Sequence, residues 1–266
     1  MTVWLLGYAA LGVFGGFVAG LFGVGGGLAI VPLLVMLFAA QGFSVEHTLH
    51  LALGTAMAGI MFTSVSSMRA HHAHGAVRWD IVKVFAPGLV AGTFGGSLLV
   101  GLIPTRPLAV IFTAIVCYAA ASMLLDRKPR PHRQLPGPLG LFLVAGGIGL
   151  VSSLVAAGGG FLSIPFMVFC NVRIHQAVGT SAALGFPIAL AGAAGYVASG
   201  LAATGLPPGS VGYIYVPALL GVVLMSVLVA PYGARLAHRL PVRRLKGAFG
   251  IFLTLMAVHL LYGLLA

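Results

Sequence analysis

Carboxylates are almost absent from this sequence. Among 266 residues there are three acids, Glu46, Asp80 and Asp126, and all fall in loops or at the ends of apolar runs. That argues against the membrane-embedded Asp/Glu relay of the usual proton or cation pump. Charge of either sign is scarce, 6% of residues against the ~25% of soluble domains. With 60% hydrophobic residues and a mean hydropathy of +1.11, the chain belongs in lipid. Long polar stretches are missing too: the longest, Asp126 to Gly137, is too short to fold alone, so a single membrane domain is expected. Cysteine is limited to Cys117 and Cys170, both in apolar runs. No disulfide framework is indicated, and both read as small buried hydrophobes. No Lys or Arg precedes the first apolar run, so it lacks the basic n-region of a cleaved signal and is expected to stay as a helix.

The charge that is present is basic, 14 Lys and Arg and a net +11. These residues lie in short loops between apolar runs, with no basic face interleaved with aromatics. They point to the cytoplasmic loops of a membrane protein, not to nucleic acid. Eight runs, 3–22, 49–70, 81–103, 107–125, 138–157, 175–198, 211–234 and 245–265, are long enough to cross a bilayer. Two more, 28–40 and 161–170, are too short to span comfortably as helices.

Each short run follows a glycine cluster, Gly23-Val24-Gly25-Gly26-Gly27 or Ala156-Ala157-Gly158-Gly159-Gly160, and each cluster has a proline five residues beyond its last glycine, Pro32 or Pro165. Further along, His50 matches His175, and Gly54-Thr55-Ala56 matches Gly179-Thr180-Ser181. Pro87 is paired with Pro217, and Pro104, Leu108 and Phe112 with Pro241, Leu245 and Phe249. The chain therefore reads as two repeats, 1–130 and 131–266. Basic residues fall in non-corresponding loops: Arg69, Arg78 and Lys83 in the first half, Arg235, Arg239, Arg243, Arg244 and Lys246 in the second. Basic loops face the cytoplasm, so the repeats should be inverted. The expected architecture is all-α and polytopic. Each repeat has a glycine-broken helical hairpin plus three transmembrane helices, with the linker 126–137 inside and both termini outside.

The glycine runs are the strongest candidates for a site. Triple glycine weakens a helix by about 1 kcal/mol per residue, and lipid penalises loose backbone unless it is buried or lines a cavity. The N–H groups of Gly25, Gly26, Gly27 and Leu28, and of Gly158, Gly159, Gly160 and Phe161, would open two short helices whose positive ends suit an anion. The competing reading is close helix packing or a tight hairpin. Thr55, Thr180 and Ser181 could donate hydroxyl hydrogen bonds to an anion, or bond back to their own helices. His50 and His175 could attract an anion or gate its path, or be interfacial histidines. His71, His72 and His74 lack an evident fourth ligand, and no metal or cofactor is expected. Gly12, Gly16 and Gly20, like Gly88, Gly92 and Gly96, recur at the spacing of small-residue packing faces.

At Gly20-Leu21-Phe22-Gly23-Val24-Gly25-Gly26-Gly27 with Pro32, at Ser153 and Gly158-Gly159-Gly160 with Pro165, and at Ala177-Val178-Gly179-Thr180-Ser181, the chain resembles the TauE/SafE family of sulfite and organosulfonate exporters. The resemblance covers nearly the whole chain. It implies a carrier of sulfur-containing or other small anions in the bacterial cytoplasmic membrane. Its partners would be a small anionic substrate and lipid, and a homo-oligomer is compatible with it. Two other functions fit the same residues: an anion channel using the same site, and an intramembrane serine hydrolase with Ser181 as nucleophile and His259 as base. The hydrolase is disfavoured, because the matching block Gly54-Thr55-Ala56 keeps its pattern without a nucleophile.

Overall fold

A computed structural model describes residues 2–23, 26–125, 134–237 and 242–265. Ten helices account for nearly all of it: α1 Thr2–Phe22, α2 Gly27–Ala40, α3 Val45–Ala73, α4 Trp79–Val100, α5 Thr105–Leu124, α6 Pro138–Val155, α7 Gly160–Phe169, α8 Ile174–Gly200, α9 Val216–Ala237 and α10 Val242–Leu265. Seven of these are long and apolar enough to cross a membrane, while α2 and α7 are too short. Most of the linker, 126–133, with Arg127, Lys128, Arg130 and Arg133, lies outside the described residues, as does Arg239.

The helices follow the hydropathy closely, with one departure. The run expected to begin at 211 becomes helical only at Val216, because Gly209 and Gly212 take left-handed backbone (φ 89° and 54°) and fold the approach into a small hairpin. Its strands β1 (Ser210–Val211) and β2 (Ile214–Tyr215) pair antiparallel, Ser210 opposite Tyr215 and Val211 opposite Ile214.

Glycine decides the packing. Gly12, Gly16 and Gly20 set the backbone of α1 directly on Val222, Ser226 and Ala230 of α9. Gly88, Gly92 and Gly96 do the same for α4 on Phe142, Gly146 and Leu150 of α6. In both pairs the contacts ascend together, so the helices run parallel, each pair joining one helix from each half. At the centre α3 and α8 run antiparallel, with Ser64 against Gly185 and Met57 against Gly192. They are the most buried spans, 72% and 67%, against 44% or less for the other candidate spans. The outer helices α5 and α10 pack together at Leu124 and Gly250.

The helix bounds correct one sequence match. From α4 to α9 the starts differ by 137 (216 − 79), and from α5 to α10 by the same 137 (242 − 105). Pro87 is thus the ninth residue of α4 while Pro217 is the second of α9, and the two prolines are not equivalent.

Basic side chains collect at one end of the bundle. Ala76, just after α3, packs on Gly179 and brings the start of α8 beside the start of α4. Arg69, Arg78, Lys83, Arg173 and Arg235 share this end. At the opposite end Thr105 donates to the Glu46 carbonyl, which places Glu46 and Arg106 together there.

Candidate anion site at the meeting of two glycine turns

Two helices start on a left-handed glycine with no side-chain cap. Gly26 precedes α2 at φ 76°, and Gly159 precedes α7 at φ 83°. These left-handed turns demand glycine. The first N–H groups of a helix have no intrahelical partner, and here no Ser, Thr or Asp side chain takes them. Gly27 touches the other turn directly, since a Cβ there would overlap the Ala156 carbonyl oxygen. The contact bears out the close-packing reading of the glycines, and it brings the start of α2 against the turn that leads into α7. One donor is lost from the expected set, because the Gly159 N–H turns onto the Ala157 carbonyl at 2.7 Å. Gly160 and Phe161 then open α7, and Gly27 and Leu28 open α2, with the side chains of Leu28 and Phe161 buried. Gly158 contributes its carbonyl beside Gly185. Gly25 lies outside the described residues.

Hydroxyls gather around the turns. Ser163 of α7 donates to Ser181 of α8 at 3.3 Å, and Ser181 donates to the Gly23 carbonyl at 3.0 Å. Beside Gly23, Ser64 and Ser67 of α3 line with Ala19, Ala182 and Gly185 a cavity of about 10 Å³, room for roughly one water. Ser67 is 2% exposed, and its Oγ has no hydrogen-bond partner. Such a buried, unsatisfied hydroxyl calls for an explanation. An oxyanion arriving at the two turns would supply the missing acceptor, once the surrounding elements move apart to admit it.

Thr55 and Thr180 have another task. The Tyr215 N–H donates to Thr55 Oγ1 at 2.9 Å, and the Arg78 N–H donates to Thr180 Oγ1 at 3.0 Å. Gly54 packs on the Tyr213 carbonyl and Gly179 on that of Ala76. The repeated Gly-Thr pair thus pins the segment entering α9 or α4. Both threonines serve that scaffold through an oxygen lone pair, and each keeps its O–H to donate. His50 is buried far from the turns, where its Nε2 lies 3.2 and 3.1 Å from the Val100 and Ile103 carbonyls and covers the end of α4. His175 is exposed in the first turn of α8 at the basic end. Neither lines the serine cavity. His71 faces the Gly20 carbonyl while His72 takes the Trp79 indole N–H, so the three histidines diverge; among the described residues no group of three His, Cys, Asp or Glu could hold a metal.

Repeat matching missed Ser64, Ser67 and Ser163, whose counterparts are Ala189, Gly192 and Ile30. The signal for Ser64 and Ser67 was a hydroxyl-rich patch, Thr63-Ser64 and Ser66-Ser67, inside an otherwise apolar run, while Ser163 stands alone among apolar residues. Ser181 has its polar contacts with Gly23 and Ser163, and His259 is an exposed residue of α10, so no nucleophile–base pair forms.

The seven long apolar helices and the two short ones entered through glycine turns are those of a multi-pass membrane protein. The family model for the sulfite exporter TauE/SafE matches residues 8–260, and the chain belongs to that family. A probable membrane transporter protein of Haemophilus influenzae is 35% identical over 94% of this chain and 95% of its own length. Probable membrane transporter proteins of Bacillus subtilis (YdhB) and Methanocaldococcus jannaschii are 28% and 25% identical, covering 90% and 92% of this chain and 92% and 93% of their own. No solved structure matches the chain.

Proposed function

We propose that this protein exports small sulfur-containing oxyanions, sulfite or organosulfonates, across the bacterial cytoplasmic membrane. The observation that carries the proposal is the meeting of two uncapped helix starts beside Ser67, Ser163 and Ser181. Each start bears roughly +0.5 of an elementary charge, so the pair suits a monoanion without a buried Lys or Arg. The two repeats, 1–130 and 131–266, are inverted in this reading. Supporting it, the corresponding helices α3 and α8 are antiparallel, as a two-fold axis across the bundle would place them. The basic end is cytoplasmic, with the linker there and both termini outside. An inside-negative potential then drives a monoanion outward by about 2.3 kcal/mol at 100 mV, with no coupling ion.

Flux from purified protein in liposomes tests this. Sulfite, thiosulfate, sulfoacetate, taurine and acetate are loaded separately and the potential is set with potassium and valinomycin. Saturable, potential-driven efflux of a sulfur oxyanion is expected. Folded protein that moves none of them would remove the proposal, and unsaturable ohmic current would make the protein a channel.

A further inference from the structure

A second feature lies at the basic end, on the outside of the bundle. A cleft of about 690 Å³ runs between α3 and α9, with Phe186 of α8 at its side. Its deeper wall is apolar, with Met61, Phe62, Val65 and Val227, and its mouth is cationic, with Arg69 and Arg235 beside His74. From Met61 to Arg69 along α3 the polarity changes over roughly 12 Å. We propose that this cleft binds an anionic phospholipid, its phosphate held by Arg69 and Arg235 and an acyl chain laid along the apolar wall.

Four observations favour that occupant. First, the cleft is not the transport route. On α3, the cleft residues Phe62, Val65, Arg69 and Ala73 lie on the side opposite Ser64, Ser67 and His71, which face Gly20 and Gly23 at the end of α1. Second, the arginines lack a carboxylate partner among the described residues: Asp80 pairs with Arg78, and Glu46 is at the far end of α3. Guanidinium forks suit phosphate oxygens, and the ring of Tyr232, 5.4 Å from the Arg235 guanidinium carbon, steadies that side chain. Third, the arginines are one-sided. Their repeat counterparts are Ala194 and Leu98, so the corresponding place at the opposite end has no cation. That asymmetry matches the excess of anionic lipid in a cytoplasmic leaflet. Fourth, a second copy of this chain, with its net charge of +11, would bring like charge to the mouth.

Binding of phosphatidylglycerol to purified protein in a neutral detergent, read by native mass spectrometry and thermal shift, tests the proposal independently of anion flux. Phosphatidylglycerol should bind and raise the melting temperature; phosphatidylcholine with the same chains and inorganic phosphate should do neither. The exposed pair R69Q/R235Q should elute like wild type and bind phosphatidylglycerol on the order of tenfold more weakly or worse. V65W, which fills the apolar wall and leaves the charge alone, should weaken binding too. Equal binding of phosphatidylcholine, an equal shift with inorganic phosphate, or unchanged phosphatidylglycerol binding by both variants would overturn the proposal. A wild-type dimer that R69Q/R235Q dissociates would overturn it in favour of a second copy.

Discussion

Replacing Gly27 with alanine adds one methyl group at the point where the two glycine turns touch. Its carbon would overlap the Ala156 carbonyl oxygen and lie 2.9 Å from Ile60 Cδ1. Gly27 has ordinary helical backbone, unlike Gly26 and Gly159, so the variant tests contact without left-handed strain. The carbonyl belongs to backbone and cannot swing aside. Restoring normal van der Waals separation moves the start of α2 from the end of α6 by about 1.5 Å. Overpacking of this kind costs about 1–3 kcal/mol. Hydrogen bonds weaken steeply with such displacement, so the two helix starts would no longer converge on one ion. The expected result is a lowered melting temperature in detergent and a loss of flux larger than the loss of folded protein. Gly147→Ala is the control: no atom outside its own helix lies within 4 Å of a Cβ there, and alanine favours a helix by up to about 1 kcal/mol. Gly27→Ala with the melting temperature and flux of wild type would refute the contact and the site built on it.

Ser67→Ala removes a buried hydroxyl that lacks a partner. It should leave the melting temperature unchanged or raise it, while KM for the transported anion increases; an unchanged KM would put Ser67 off the path. Thr180→Val leaves the Arg78 N–H without its acceptor and should destabilise by about 1–3 kcal/mol. Its KM should stay at the wild-type value, and a large rise in KM with normal stability would put the Thr180 O–H on the anion path. A reporter active only in the cytoplasm, fused after Ala266, should be silent; activity would reverse the proposed orientation.

The helices were legible because lipid enforces one rule along the whole chain: an apolar run of sufficient length becomes a span. The broken hairpins were legible because triple glycine weakens a helix and each cluster is followed by a run too short to span. The threonines have a scaffold task that the sequence did not reveal, for a physical reason. A block kept in both halves reveals a task common to both, and here that task is pinning Ala76–Arg78 and Tyr213–Tyr215 to the central helices. A hydroxyl's partner 102 or 160 residues away leaves no mark on local sequence. The serines escaped for the opposite reason. They are asymmetric, coming from both central helices and α7, so comparing one half with the other could not find them. Pro87 and Pro217 show the limit of matching single residues without helix bounds.

The parallel pairing of α1 with α9 also sets a condition on biosynthesis. Gly12 waits for Val222, and Gly16 for Ser226. At about 5–20 residues per second, the ribosome needs roughly 10–40 s to make the intervening chain. Through that interval the glycine face of the first helix has only lipid, or an insertion chaperone, against it. The first five helices therefore cannot complete their packing before the ninth arrives, and a nascent chain stalled between α5 and α9 should be held by the insertion machinery or degraded.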